Sequence, residues 1–248
     1  MSLSVIVITK DEEAVIRRCL ESVAWADEIV VVDSGSADRT REICRGLGAE
    51  VHVFPDWPGF GPQKNRARQL ATGDWILSLD ADEWLSAELQ TEIRAAVAVA
   101  GSHVAFWIPR SSSFCGRLMR HSGWWPDPVL RLFKRTSAHF SDDLVHERLI
   151  VDGSVGQLSH PLMHEPFTNL EEVLHKVDRY SSAGAQMMLV RGGRSSVTSA
   201  VLHGAWTFLR TYLLKAGFLD GREGFILAVS NAEGVYYRYL KAWMLRRR

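Results

Sequence analysis

Acidic side chains follow three short apolar stretches, at the points where the apolar residues stop. The sequence TKDE occupies residues 9–12, Asp33 ends a second stretch, and DADE occupies residues 80–83. Carboxylate oxygens suit Mg²⁺ or Mn²⁺, and a substrate diphosphate supplies further ligands. Clustered acids also fit an aspartyl-phosphate nucleophile, or strand ends that are merely solvated. Three acidic ends in one chain favour a binding site over solvation.

The apolar stretches themselves predict buried β-strands at 3–9, 28–32, 50–54 and 75–79, because they are short and rich in β-branched residues. Helical patterns lie between them, including one at 63–71 that follows a Pro- and Gly-rich loop. Alternating strands and helices predict a parallel sheet flanked by helices. Ligands bind at the carboxyl ends of such strands, so the acidic ends should converge on one crevice.

The alternation stops near residue 100, where short strand-like pieces separated by Gly, Pro and Ser begin. From residue 168 onward the pattern is helical again. We therefore predict three parts: 1–100 and 101–167 as the two halves of one α/β domain, and 168–248 as a helical C-terminal extension.

Composition narrows the class of protein. Among 248 residues, 29 are Lys or Arg and 29 are Asp or Glu, so net charge identifies no partner. Three widely spaced cysteines indicate a reduced compartment. The first apolar stretch is too short for a signal peptide, and no apolar run reaches the roughly 20 residues that span a bilayer. These features predict a cytoplasmic protein.

Two phosphorus chemistries fit the sequence poorly. An aspartyl-nucleophile phosphatase carries its acids after the first strand, followed by Thr or Val, whereas this strand ends in TKDE. A nucleotidyltransferase carries a Gly-rich loop after that strand, and GxxxxGK[ST] occurs nowhere in the chain.

Three segments, SVIVITKDEE, EIVVVDSGSADRT and QKNRARQLATGDWILSLDADE, closely resemble the family 2 inverting glycosyltransferases with the GT-A fold. Three others, HSGWWPDPVLRLFKR, LVHE and GFLDGREGFILAVSNAEGVYYRYLKAW, resemble bacterial lipopolysaccharide core glycosyltransferases of the WaaE/KdtX type. The resemblance implies a mainly parallel central sheet, with a nucleotide-sugar-binding half at 1–100 and an acceptor and catalytic half at 101–167. One departure is Asp11, where many relatives have Asn.

The resemblance also implies donor contacts. Residues at the first two strand ends would contact the nucleoside of the donor. Basic and acidic residues further along the chain would contact its nucleotide, ribose or diphosphate. The residues are Thr9, Asp11, Glu12, Asp33, Lys64, Arg66, Asp80 and Arg131. For Asp33 an Asx-turn is a structural alternative, and a solvated basic helix face is one for Lys64 and Arg66.

The metal and the general base follow from the same resemblance. Asp82 is the expected ligand of Mg²⁺ or Mn²⁺, with Asp80 and His146 as further ligands. Inverting transfer also needs a base for the acceptor hydroxyl. LVHE favours Glu147 as that base, and Asp127 is the second candidate.

The C-terminal residues 203–248 carry eight basic and three acidic side chains, interleaved with aromatic residues. This pattern is typical of a helix on an anionic membrane, and it equally fits helices packed on the rest of the protein. The sequence shows no motif of a nucleic-acid recognition fold.

These observations predict an inverting, metal-assisted glycosyltransferase that moves a sugar from UDP-glucose to a lipid-linked saccharide such as the inner core of lipopolysaccharide. ADP-heptose is the alternative donor. Rival classes are a metal-dependent nucleotidyl or phosphoryl transferase and a non-catalytic saccharide-binding relative.

Overall fold

The computed structural model describes residues 1–99, 101–141 and 147–247. Its strands are β1 Leu3–Thr9, β2 Glu28–Asp33, β3 Glu50–Val53, β4 Trp75–Asp80, β5 Glu83–Leu85, β6 His103–Phe114, β7 Arg117–Leu118, β8 Asp127–Lys134, β9 Ala138–Phe140, β10 Leu149–Val151, β11 Ser154–Gln157 and β12 Leu162–His164. Its α-helices are α1 Ile16–Glu21, α2 Thr40–Gly46, α3 Phe60–Leu70, α4 Ala87–Ala98, α5 Leu170–Val190, α6 Val197–Leu209 and α7 Gly221–Leu245. The four predicted strands and the helices between them are all present.

The central sheet has the order β3-β2-β1-β4-β8-β6-β12-β5. The first four strands are mutually parallel, whereas β8 runs antiparallel to both β4 and β6. Parallel register places Thr9 opposite Asp33, and Ile8 opposite Asp80. The carboxyl ends of β1, β2 and β4 therefore meet at one edge of the sheet, as the sequence predicts.

The strands form because both faces of the sheet are covered. One apolar layer includes Val5, Val7 and Leu77, and the other includes Ile6 and Ile76. Successive residues of a strand point to opposite faces, so the continuous apolar runs of β1 and β4 fill both layers.

Helix α3 begins at Phe60, three residues before the predicted start. Pro62 lies in its first turn, where a missing N–H breaks no helical hydrogen bond. Gly61 allows a close approach, since a Cβ atom there would lie 1.8 Å from the carbonyl oxygen of Ser141. The Gly- and Pro-rich sequence therefore starts a helix that passes close to the residues before 142.

The chain divides into two compact units. Unit 1 comprises Met1–Arg110 and Asp127–His164, and unit 2 comprises Ser111–Pro126 and Glu165–Arg248. The division of the sequence into three parts stays a prediction.

Unit 2 is mainly helical, and α7 packs against both α5 and α6. Gly204 permits a close approach to Tyr236, and His203 stacks on Tyr239 with ring centroids 4.4 Å apart. Lys241 on α7 donates to the side chains of Asp178, Ser181 and Ser182. None of the helices in the described part of the chain combines the length and hydropathy that crossing a bilayer requires.

Candidate active site

The turn after β2 is organised by Asp33. Its buried carboxylate accepts hydrogen bonds from the backbone N–H groups of Gly35 and Ser36, at 3.1 and 3.0 Å. It also accepts from the hydroxyls of Thr9 and Ser36. The bonds from Gly35 and Ser36 form the Asx-type turn given above as the structural alternative, and all four bonds together leave this carboxylate little capacity for a ligand.

Asp11 joins the first two strand ends. Its backbone adopts a left-handed conformation, with φ of 57°, which Asp tolerates better than most residues. Its carboxylate accepts from the N–H of Ala37 at 2.6 Å, and its own N–H donates to the hydroxyl of Ser36 at 2.9 Å. Asp at this position therefore holds the two loops together.

Glu12 lies within a group of carboxylates. Burial, followed by the charge of Asp82 and by three weaker acidic neighbours, raises the pKa of Glu12 to about 7. The part of this rise that comes from Asp82 and the other acids is a repulsion between carboxylates, which a cation beside Asp82 would relieve.

Asp80 is held between two cations. Lys64 Nζ lies 3.0 Å from its Oδ1 atom, and Arg131 donates to its Oδ2 atom. Burial alone would raise the pKa of Asp80, but the charges of Arg131 and Lys64 outweigh burial and hold it well below its usual range. Asp80 is therefore an ion-paired carboxylate.

Glu83 is fully buried, with a relative exposure of 0%, and connects two arginines. Its Oε1 atom accepts from Arg131 Nη2 at 2.7 Å and from Arg110 Nη1 at 3.2 Å, while Oε2 accepts from the N–H of Asp80 at 2.9 Å. Glu83 thus fixes both the turn after β4 and the two guanidinium groups beside it.

Arg110 continues the chain of ion pairs to Asp127, which lies opposite it across β6 and β8. Nε and Nη2 of Arg110 both donate to Oδ2 of Asp127, at 2.9 and 2.6 Å. Lys64 continues the chain in the other direction, because its Nζ atom lies 2.8 Å from Oε1 of Glu147. Both candidate bases are thereby linked to Asp80.

We call these seven side chains the charge network. In order of contact its members are Asp127, Arg110, Glu83, Arg131, Asp80, Lys64 and Glu147. Acids and bases alternate, with four carboxylates against three cations. Such an arrangement satisfies buried charges with specific partners and leaves one negative charge uncompensated.

Asp82 lies outside the charge network. Its Oδ2 atom is 3.5 Å from Nε2 of His164. Within the described residues, no group of three His, Cys, Asp or Glu side chains is placed to hold a metal ion by itself. The third predicted ligand, His146, lies outside the described residues.

The donor set nevertheless fits Mg²⁺ or Mn²⁺ bound together with a diphosphate. Mg²⁺ is usually held by one or two carboxylates, and substrate phosphates and water complete its coordination. Asp82 supplies one carboxylate, and a cation bound to it would also shield its charge from the neighbouring Glu12.

Arg66 lies outside the charge network. Its guanidinium group forms two bonds to the exposed Asp56, at 3.1 and 2.6 Å, and a third to Gln63. It also lies over the ring of Phe54. The structure therefore pairs Arg66 with the loop that precedes α3.

Sequence reasoning missed Arg110 and His164. Arg110 gave no local signal, because it lies in a strand and its partner Asp127 is 17 residues away. His164 sits in the short strand β12, opposite Glu83 on the edge strand β5. Predicting this cross-strand pair from the sequence would have required knowing the order of the strands in the sheet.

Comparison with known sequences gives consistent matches. A family model described as "Glycosyl transferase family 2" matches residues 4–150. An uncharacterized glycosyltransferase of Rickettsia typhi is 30% identical, over 98% of this chain and 86% of the relative. The lipopolysaccharide core biosynthesis glycosyltransferase LpsC of Rhizobium meliloti is 28% identical, over 98% of this chain and 95% of the relative.

Solved structures agree at the level of fold. Residues 1–349 of S. aureus TarS superpose with a TM-score of 0.50 at 17% identity, covering 100% of this chain and 91% of that one. The same protein in complex with UDP-GlcNAc gives a TM-score of 0.50 at 16% identity.

Proposed function

Because the chain belongs to glycosyl transferase family 2 and has the GT-A fold that its sequence predicts, we propose that it transfers glucose from UDP-glucose to a lipid-linked saccharide with inversion. The observation that carries the proposal is the charge network at the carboxyl ends of the central strands. It joins the Asp80 turn, where a nucleotide sugar would bind, to Asp127 and Glu147, where an acceptor would be deprotonated. Membership in a transferase family sets aside the phosphoryl-transfer and non-catalytic alternatives.

For the donor site, we assign Lys64 and Arg131 an indirect role. Both side chains are almost fully buried and are already paired with Asp80. They are positioning residues that hold the Asp80 turn in one conformation. Thr9, Asp11 and Asp33 likewise shape the loops that would enclose the nucleoside.

A divalent cation is part of the proposal, with Asp82 as its protein ligand. A Mg²⁺ or Mn²⁺ ion held by Asp82 and the donor diphosphate would neutralise the charge that develops on the departing nucleotide. Asp80 is less suited as a direct ligand, because two cations already balance its charge.

For the general base, two features support Asp127 over Glu147. Asp127 is the more exposed side chain, at 38% against 17%. Arg110 contacts only its Oδ2 atom, so Oδ1 has no partner among the described residues. Glu147 instead shares Lys64 with Asp80, which associates it with the donor side. We therefore assign proton removal to Oδ1 of Asp127 and positioning of Lys64 to Glu147.

The acceptor is proposed to be membrane-bound, and unit 2 has a surface suited to that membrane. We define the apolar face as Val201, Leu202, Trp206, Leu209, Leu213 and Leu214, all of which are exposed. Residues 179–219, which contain it, carry four arginines and one lysine and no acid. Exposed aliphatic and aromatic side chains combined with positive charge fit an anionic lipid surface.

A thermal-shift screen tests the donor and the metal together, because a bound ligand raises the melting temperature. UDP-glucose with Mn²⁺ or Mg²⁺ should stabilise the protein more than ADP-, GDP- or CMP-sugars. Asp82→Asn should remove the metal-dependent part of that stabilisation and leave the unliganded melting temperature unchanged. If ADP-heptose alone stabilised the protein, it would replace UDP-glucose as the assigned donor. If Asp82→Asn kept the metal-dependent stabilisation, the metal assignment would be refuted.

A further inference from the structure

Unit 2 contains a cavity of about 700 Å³, and every residue that lines it belongs to that unit. Its charged and polar lining comprises Arg117, Arg120, His121, Asp220 and Glu223. Neither the sequence motifs nor the charge network gives these residues a role.

The cavity wall is built around Asp220, which is almost fully buried. Its carboxylate accepts from the backbone N–H groups of Arg120 and His121, both at 3.0 Å, and from the hydroxyl of Ser122 at 2.8 Å. Nδ1 of His121 lies 3.2 Å from the same carboxylate. One buried acid therefore fixes the backbone of residues 120–122.

The side chain of Arg120 takes no part in this arrangement. It is exposed, and only its backbone N–H contacts Asp220. No described side chain pairs with its guanidinium group. The neighbouring Arg117 is already paired with Glu223, although loosely, at 3.5 Å. Arg120 is thus a cation on a fixed backbone with its hydrogen-bonding capacity unused.

The cavity lining carries equal numbers of charges of each sign, with Arg117 and Arg120 against Asp220 and Glu223. Lys215 lies against Gly123, where its Nζ atom is 2.2 Å from the position a Cβ atom would occupy, and its carbonyl oxygen accepts from Ser122. Since Asp220 is occupied by hydrogen bonds and Glu223 is paired with Arg117, Arg120 is the cation of the described lining that remains available to an anion.

The cavity also adjoins exposed apolar side chains of unit 2. Leu219 lines it, and both Phe218 and Leu219 are about half exposed. These two residues lie in the 3₁₀ turn Gly217–Asp220, a few residues after the end of the apolar face at Leu214. A ligand with a charged saccharide head and a lipid tail would match both surfaces.

We propose that this cavity binds a phosphate or carboxylate group on the saccharide acceptor, with Arg120 as its principal contact. The inference rests on the proposed function, since it requires a saccharide acceptor. Arginine is suited to the role because its planar guanidinium group pairs with both oxygens of a phosphate or carboxylate.

The first experiment measures binding without catalysis. Glucose 6-phosphate and uncharged glucose serve as probes in calorimetric titrations of the full-length protein. Glucose 6-phosphate should bind measurably more tightly, and Arg120→Ala should weaken its binding by about 10- to 100-fold, the range for a hydrogen-bonded charge. Arg120→Lys should recover part of the loss. Arg45→Ala, which removes an exposed arginine of α2, is the matched control and should bind as the wild type does.

Folding and donor binding provide the internal checks. Arg120→Ala should melt at the wild-type temperature, because the bonds to Asp220 come from the backbone. It should also bind UDP-glucose normally, so a loss confined to glucose 6-phosphate supports the acceptor site. Equal binding of glucose and glucose 6-phosphate, or an Arg120→Ala variant that binds both as the wild type does, would overturn the proposal.

A final experiment distinguishes an anionic saccharide from a lipid headgroup as the ligand of Arg120. Arg120→Ala should bind vesicles of phosphatidylglycerol as the wild type does, because membrane binding is assigned to the apolar face and not to Arg120. Weaker vesicle binding by Arg120→Ala with unchanged glucose 6-phosphate binding would assign Arg120 to lipid and overturn the saccharide site. Failure of the wild type to bind any nucleotide sugar would instead refute the proposed function.

Discussion

Charged side chains are buried in unit 1, whereas apolar side chains are exposed in unit 2. Lys64 and Glu83 are 3% and 0% exposed, and Leu202 and Trp206 are 64% and 55% exposed. Burying a charge is costly unless a partner and hydrogen bonds compensate for lost hydration. Exposing large apolar side chains is also unfavourable unless another surface covers them. Each unit departs from the usual distribution at the place where we assign a ligand.

The comparison separates two kinds of recognition. In unit 1 a fixed pattern of ion pairs holds the loops that would meet a small, charged donor. In unit 2 a broad apolar face and a cavity with an arginine unpaired among the described residues suit a larger ligand that carries both lipid and charge. Substitutions in unit 1 should therefore affect turnover and stability, and those in unit 2 should affect membrane and acceptor binding.

The largest effect is expected from Asp127→Asn, which keeps the shape of the side chain but removes its basicity. Turnover should fall by about 10²- to 10⁴-fold, the usual contribution of a general base, while donor affinity changes little. Glu147→Gln should reduce turnover less and should weaken donor binding, because Lys64 loses its charged partner. Steady-state kinetics and nucleotide titrations with excess acceptor measure both properties.

Glu42→Gln, which changes an exposed acid of α2, is the control for that pair of variants. Near-normal turnover in Asp127→Asn together with collapse in Glu147→Gln and intact donor binding would return the base to the LVHE segment.

Arg131→Met should have the next largest effect, on folding stability. The substitution leaves Asp80 and Glu83 without their shared cation, and breaking a buried ion pair from one side costs about 3–5 kcal/mol. Urea unfolding should show a lower midpoint with an unchanged slope. Arg45→Met, at an exposed site, should be within about 0.5 kcal/mol of the wild type. A fully stable Arg131→Met variant would show that the charge network does not hold unit 1 together.

In unit 2 the double substitution Leu202→Ser with Trp206→Ser should weaken binding to phosphatidylglycerol vesicles by at least about tenfold. Each buried side chain of this size contributes about 1.5–3 kcal/mol on transfer from water. Stability should not fall, because both side chains are exposed in the free protein. Vesicle flotation measures the effect.

The matched control replaces Trp107 and Ile150, two exposed apolar residues of unit 1, with serine. If both double variants bound vesicles equally, or if the wild type bound neutral and anionic vesicles equally at low and high salt, the membrane assignment would be wrong.

The smallest effect is expected from Glu28→Gln, away from the network. Burial alone would raise the pKa of Glu28, but hydrogen bonds from Ser4 and Thr72 outweigh burial and lower it. A lowered pKa gives stability that is present above the ordinary value near 4.5 and is lost as pH falls. The variant should be about 1 kcal/mol less stable than the wild type at pH 7, and the difference should shrink as the pH falls below 4.5 and the carboxylate is protonated. A gap that widened on acidification would contradict the sign.

Local pattern accounts for what was predicted correctly in the fold. The strands β1, β2 and β4 could be predicted because short apolar runs that are rich in β-branched residues and end in acids are typical of buried strands. The start of α3 was missed because Gly61 and Pro62 usually indicate a loop, and only the approach to Ser141 explains the glycine. The antiparallel half of the sheet had no comparable periodic signal.

The sequence by itself determined that acids stand at the ends of three strands, and its motifs indicated the glycosyltransferase family. Both depend on residue type and short-range spacing. Only the tertiary structure decided how the charges pair. Arg131 meets Asp80 across 51 residues and Lys64 meets Glu147 across 83, so chain proximity carries no information about either contact. The same holds for unit 2, where burial of one helix face and exposure of another depend on which helices pack together.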